Sequence, residues 1–189
     1  LTSFEPGFIR VNSVQGGALE HAFGVDADGS GGIGIQGTVI ENQGSVSLLR
    51  HLDGGAFVQV GTTLHGITIG GVYQSIGTEG SEWQMLAAET VDGINKILWR
   101  NNPTGDVHVW RLNSDWQWTS SEPGLISVNS VQGWALENAF GVDADGNGYV
   151  GIQGTAVENQ GSVSLLRHLD GGAFVQVGTT LQAIMIGGV

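Results

Sequence analysis

Residues 3–72 return as residues 120–189, displaced by 117 positions. Of the 70 aligned positions, 57 are identical and 13 differ. The run from Glu41 to Leu64 recurs unchanged from Glu158 to Leu181. Whatever fold the chain takes must hold this pattern twice, with a different segment between the copies. The organisation expected is therefore 1–72 as a first repeat, 73–119 as a tryptophan-rich segment, and 120–189 as a second copy of the first. One period of 117 residues followed by 72 residues of the next is the pattern expected of an excerpt from a longer array.

The copies read as β structure. Glycine supplies 33 of 189 residues, well above the usual share of about 7%. With only three prolines and no triplet period, a collagen helix is excluded. The glycines fall between short apolar runs, where hairpin turns need positive φ. Thr38 to Glu41 reads as a strand, then a run with Val46, Leu48, Leu49 and Leu52, then Ala56 to Val60 with a period of two. Asp53-Gly54-Gly55 turns the chain between the last two, and Asp170-Gly171-Gly172 does so again. In the central segment, Trp83 to Glu89, Ile97 to Arg100 and Val107 to Leu112 read as an antiparallel meander. Their turns, Val91-Asp92-Gly93 and Pro103-Thr104-Gly105, are too short for a parallel crossover. Val14 to Phe23 is the best helical window, of one or two turns. The fold class expected is all-β, with antiparallel meanders built from the tandem repeat and EF-hand-like calcium loops.

Charge narrows the partners. Eighteen acidic residues face six lysines and arginines, for a net charge of −12. Such a surface repels nucleic acid and anionic lipid and suits divalent cations. No apolar run approaches the roughly 18 residues of a membrane span, so no membrane insertion is expected. With no cysteine, stability has to come from core burial or from metal.

A metal motif is present in both copies. Asp26-Ala-Asp28-Gly-Ser30-Gly-Gly32-Ile33 recurs as Asp143-Ala-Asp145-Gly-Asn147-Gly-Tyr149-Val150. Oxygen-bearing side chains stand at loop positions 1, 3 and 5, glycine at 6 and an aliphatic residue at 8, as in the first two-thirds of an EF-hand loop. Alternate side chains of a tightly wound loop converge on one centre, and the carbonyls of Gly32 and Tyr149 would add backbone oxygens. The predicted ion is Ca²⁺. Position 12, where an EF-hand has a bidentate glutamate, is Gly37 or Gly154. Glu41 and Glu158, four residues further on, are candidates to close the site. A strand is expected after the loop, and no helix is evident before it. Asn147 is a stronger ligand than Ser30, so the second loop is expected to be the better site.

Five of the six tryptophans lie between Trp83 and Trp118. Trp83, Trp99 and Trp110 read as core. Trp116 and Trp118, two apart and among polar residues, would share one face of a strand and are the candidate platform for a sugar ring. His21 and His65 become Asn138 and Gln182 in the other copy, and His51 and His168 read as surface residues. No Ser–His–Asp order, phosphate loop or thiol is present, and the carboxylates gather at turns, so no catalytic activity is expected.

Trp83-Gln84, Ala87 to Glu89, Leu98 to Asn101 and Trp110, followed by Phe140 to Gly148, resemble a tryptophan-rich tandem repeat of secreted bacterial surface proteins. Ile97 to Trp110 is also similar to the FG-GAP/VCBS-type calcium-binding repeats. Of the calcium loop that those repeats carry just before this strand, only Asp92-Gly93 is kept, so no third calcium loop is expected. The resemblance implies export, calcium, repetition and β structure. The function expected is a non-catalytic calcium-binding structural or adhesive module at the cell surface or outside the cell. Its partners would be neighbouring repeats or like subunits. Two alternatives are a carbohydrate-binding module of a secreted enzyme and a subunit of an extracellular fibre assembled by strand exchange.

Overall fold

The computed structural model describes residues 14–27, 29, 34, 37–52, 54–77, 81–152, 154–168, 172–177 and 180–184. Helix α1 (Val14–Phe23) precedes a four-stranded antiparallel meander of β1 (Gly37–Glu41), β2 (Val46–His51), β3 (Ala56–Val60) and β4 (Thr63–Gly66). A short ribbon, β5 (Thr68–Ile69) with β6 (Val72–Tyr73), leads into the tryptophan-rich sheet. That sheet comprises β7 (Trp83–Val91), β8 (Ile94–Asn101), β9 (Asp106–Leu112) and β10 (Trp118–Ser121), side by side in that order, with β11 (Ile126–Ser127) also pairing with β9. Helix α2 (Val131–Phe140) then leads to a second meander of β12 (Gly154–Gln160), β13 (Val163–His168), β14 (Ala173–Val177) and β15 (Thr180–Ala183).

The two meanders share their register. Val46 pairs with Val60 and Leu49 with Phe57 in the first, as Val163 pairs with Val177 and Leu166 with Phe174 in the second. A bulge interrupts each first strand at the same place, between Val39 and Glu41 and between Ala156 and Glu158. In the central sheet, Asp92 and Gly93 both take positive φ, 53° and 74°, which is the two-residue type I′ hairpin that matches strand twist. The central strands are antiparallel throughout.

Three local expectations need correcting. The helix over Val14 to Phe23, expected to run one or two turns, and its counterpart α2 are each ten residues long, close to three turns. The caps of α2 explain it: the Ser130 hydroxyl accepts the Gly133 N–H, and Gly141 closes the other end at φ 68°. Leu52 lies beyond β2 and is exposed, since the Gly54 N–H bonds the His51 carbonyl and turns the chain early. His51, expected at the surface, is buried, its ring edge-on to Phe57 at 5.9 Å.

The tryptophan-rich sheet is the middle layer of three. One face carries Met85, Ala88, Ile97, Trp99 and Leu112, packed against Val46, Leu48, Ala56 and Val58 of the first meander. The other carries Ala87, Leu98, Val107 and Val109, covered by Phe140 of α2 with Val128 and Ala144. Burial on both faces is why Ile97, Leu98 and Trp99 are consecutively apolar rather than alternating. The second meander contributes a small cluster, Leu166 and Phe174 with Val131, Trp134, Ala135 and Ile152. No described helix is long and apolar enough to cross a membrane.

Candidate functional site

The loop after α2 begins where the helix ends. Gly141 reverses the backbone and delivers Asp143 to Asn147 as a tight turn. Asp143 accepts N–H groups from Gly146 at 2.7 Å and Asn147 at 3.1 Å on one oxygen, and from Gly148 at 2.7 Å on the other. Burial alone would push its pKa up, but the N–H donors of Gly148 and Gly146 outweigh that and hold it below 3.8. Asp145 accepts the Asn147 N–H at 3.0 Å and its side-chain amide at 2.6 Å. The Asn147 side-chain Oδ1 accepts the Tyr149 N–H at 2.9 Å.

A third carboxylate joins them from the helix. Carboxylate oxygens of Glu137, Asp143 and Asp145 lie within 4.8 Å of one another. Glu137 is fully buried. One of its oxygens accepts the N–H of Ala144 at 2.9 Å and of Asp145 at 3.1 Å, and the other accepts that of Gly151 at 2.9 Å. Burial raises its pKa above the usual 4.5, and these donors only partly offset it. Glu20 makes the corresponding bonds in the first copy, accepting from Ala27 at 2.9 Å and Gly34 at 3.3 Å. A buried helical glutamate thus ties down each loop from below. Sequence reasoning overlooked both residues, although each is a lone charge among apolar neighbours (Ala-Leu-Glu) at the same place in both copies.

Among the residues expected to bind metal, Asp143 and Asp145 come together, with Asn147 and Tyr149 bonded into the same loop. A ten-residue helix precedes each loop, α1 over the window expected from the sequence and α2 over its counterpart. Glu158 is not the closing residue: it stands exposed on β12, bonded to Gln160. Glu41 is buried at the β1 bulge, with Glu89 as its charged neighbour. In the first loop, Asp26 is exposed, while Asp28, Ser30 and Gly32 lie outside the described residues.

The expected aromatic platform is absent in that form. Trp116 is 1% exposed and sits in the main core at φ 59°. Asn113 sets the turn by accepting the N–H groups of Asp115 and Gln117, so Trp116 precedes the strand and points inward. Trp118 starts β10 on the surface. The tryptophans that do gather are Trp83, Trp99 and Trp110. Trp99 and Trp110 have ring centroids 4.6 Å apart, and Trp83 meets His108 edge-on at 6.4 Å. They line one cavity with Gln74.

Three layers around an indole-bearing sheet define a tryptophan-rich, mostly β module. The chain belongs to the family described as the tryptophan-rich Synechocystis species C-terminal domain, whose model matches residues 46–151. The matched span starts on β2 and ends at Gly151, the residue bonded to Glu137, so it takes in all three layers. No curated protein and no solved structure matches the chain.

Proposed function

We propose that this chain is a non-catalytic structural module whose loops bind calcium, built for assembly with like repeats in an exported bacterial protein. The observation that carries the reading is the meeting of Glu137, Asp143 and Asp145 within 4.8 Å in a loop of Asp-x-Asp-x-Asn-Gly order. Three carboxylates that close repel one another unless protonated or bridged by a cation, and hard oxygen ligands favour calcium. Each carboxylate oxygen offers two lone-pair positions, so the backbone bonds already made leave room for a metal. Glu137 supplies from the helix the acidic group that position 12 lacks. Calcium is abundant outside cells, and the resemblance to exported surface repeats agrees with that setting.

The partner reading rests on burial. The face that the first meander buries against the tryptophan-rich sheet, Val46, Leu48, Ala56 and Val58, recurs in the second meander as Val163, which is exposed, and Leu165, Ala173 and Val175, which are only half-buried. A further sheet of the same kind is the surface that fits it.

The test is thermal unfolding of the chain with calcium and with chelator. With calcium about tenfold above Kd, one site adds about 1.4 kcal/mol by mass action, for a Kd of roughly 10⁻⁴ to 10⁻³ M. Asp145→Ala should remove most of the shift. A wild-type midpoint that ignores calcium would sink the reading.

A further inference from the structure

The indole cavity is not lined by the Asp143 loop; it lies at the edge of the sheet-on-sheet core, to which Trp99 belongs and against which Trp83 and Trp110 pack. Its volume is about 350 Å³, and its lining is Gln74, Trp83, Trp99, His108 and Trp110. That size lies near the lower end of the roughly 300–1,000 Å³ typical of ligand pockets. The register explains how the rings gather. Trp99 on β8 pairs with His108 on β9 and with Met85 on β7. Trp83 is two residues from Met85 and Trp110 two from His108, so all of these share one face. The first meander covers the far end of that face through Val46 and Leu48. The near end, with half-buried Trp83 and Trp110, stays open.

The polar atoms here define the ligand. The His108 Nδ1 lies 3.0 Å from the Gly124 carbonyl. A carbonyl only accepts, so Nδ1 carries the hydrogen and, in the neutral ring, Nε2 is left as an acceptor. The Gln74 amide nitrogen donates to the Val72 carbonyl at 2.9 Å, which leaves its oxygen as a second acceptor. Trp99 is nine-tenths buried and offers the cavity its ring. The lining therefore combines flat apolar rings and two acceptors, and no charged side chain.

We propose that this cavity binds a neutral pyranose sugar. A pyranose has a C–H face that lies on an indole ring, and its rim hydroxyls both donate and accept. They can donate to His108 and Gln74. A cationic ligand is the other occupant that aromatic rings attract. It would find no carboxylate in the lining to offset its desolvation, and a quaternary ammonium has no N–H to donate to His108 or Gln74.

The experiment is a calorimetric titration of the full chain, calcium held constant, with glucose, galactose, mannose and N-acetylglucosamine, and with choline as the cationic probe. At least one sugar is expected to bind with a Kd of roughly 1–10 mM, or about −3 to −4 kcal/mol. Trp83→Ala is expected to weaken that binding about fivefold or more, and Gln74→Ala about threefold or more. Gln74 lies at the rim and is not part of the core, so its variant reads the site even if Trp83→Ala fails to fold. No binding by any of the four sugars overturns the proposal. So does a sugar affinity that Gln74→Ala leaves unchanged, and so does binding of choline in place of sugar.

Discussion

Val46 and Val163 occupy the same place in strands of identical sequence, yet Val46 is 1% exposed and Val163 40%. The helices show the reverse. Phe140 of α2 is 1% exposed, and its counterpart Phe23 of α1 is 75% exposed. Each copy thus sends one of its two halves to the tryptophan-rich sheet, the first its meander and the second its helix. Identical local sequence fixes strands, turns and register, because these depend on residues a few positions apart. Burial depends on what lies across the face, and here one central sheet decides it for both copies. One difference between the copies falls where the surroundings differ. Phe57 packs against His51 and Tyr73, whereas Phe174 packs against Trp134, which replaces Gly17 of the first copy.

The sharpest way to break this comparison is a paired truncation. Leu48 is fully buried, and its counterpart Leu165 is half-buried. Leu48→Ala should cost about 2–5 kcal/mol, the usual range for a core leucine. Leu165→Ala should cost less than about 1 kcal/mol. Both are read by denaturant unfolding, and equal losses would mean that the second meander is covered in solution as fully as the first.

A smaller effect is expected from giving the second copy the residue of the first. Trp134→Gly removes the ring that meets Phe174 at 6.0 Å and places glycine inside α2, with a helix penalty of about 1 kcal/mol. Hydrogen exchange should quicken in the amides of β13 and β14 and stay unchanged in β2 and β3. Faster exchange in both meanders would show that they unfold as one unit, against the division drawn here.

Glycine at position 66 sharpens the contrast further. A Cβ there would run into the Tyr73 ring, and the second copy already carries Ala183 at that place. Gly66→Ala should therefore cost about 1–3 kcal/mol through overpacking, and Ala183→Gly less than about 1 kcal/mol. Thermal melts of the two variants settle the order.

These contrasts mark what could be read in the sequence. The Asp92-Gly93 hairpin, the central strands and the paired meanders were legible, since turn chemistry and apolar spacing are local. The length of α2 was not, because its caps, Ser130 and Gly141, flank a segment with glycine at its third position and no acidic first turn. Nor was Glu137, because it precedes the Asp143 loop while its bonds reach forward to Ala144, Asp145 and Gly151. The inward Trp116 was not legible either, because the Asn113 side chain sets a turn there that residue spacing does not show. Nothing in two identical strands could have announced that only one of them is buried.

The smallest effect concerns Glu41 and its counterpart Glu158. Glu41 is buried, and one of its carboxylate oxygens has no hydrogen-bond partner among the described residues. Burial raises its pKa above 4.5; the nearby charge of Glu89 adds to the rise, and bonds from the backbone of Gln43 and Ala88 lower it without cancelling it. Glu89 is itself held by the Ser45 hydroxyl at 3.1 Å and the Val46 N–H at 3.3 Å, so the two carboxylates meet where the first meander docks on β7. A carboxyl whose folded pKa lies above its unfolded value favours the folded state while protonated. That contribution is fully present below the unfolded pKa, near 4.5, and is lost as pH rises through the folded value. Glu41→Gln keeps the neutral shape and removes the titration. The stability of the wild type relative to Glu41→Gln should therefore decline as pH rises from about 4 toward neutrality, measured by urea unfolding in chelator across that range. Glu158→Gln, on the exposed strand, is the matched control for loss of a carboxylate at the equivalent position of the second copy. If the wild-type and Glu41→Gln curves run parallel, the carboxyl is solvated in solution, and the docking of the first meander on β7 is looser than the one argued here.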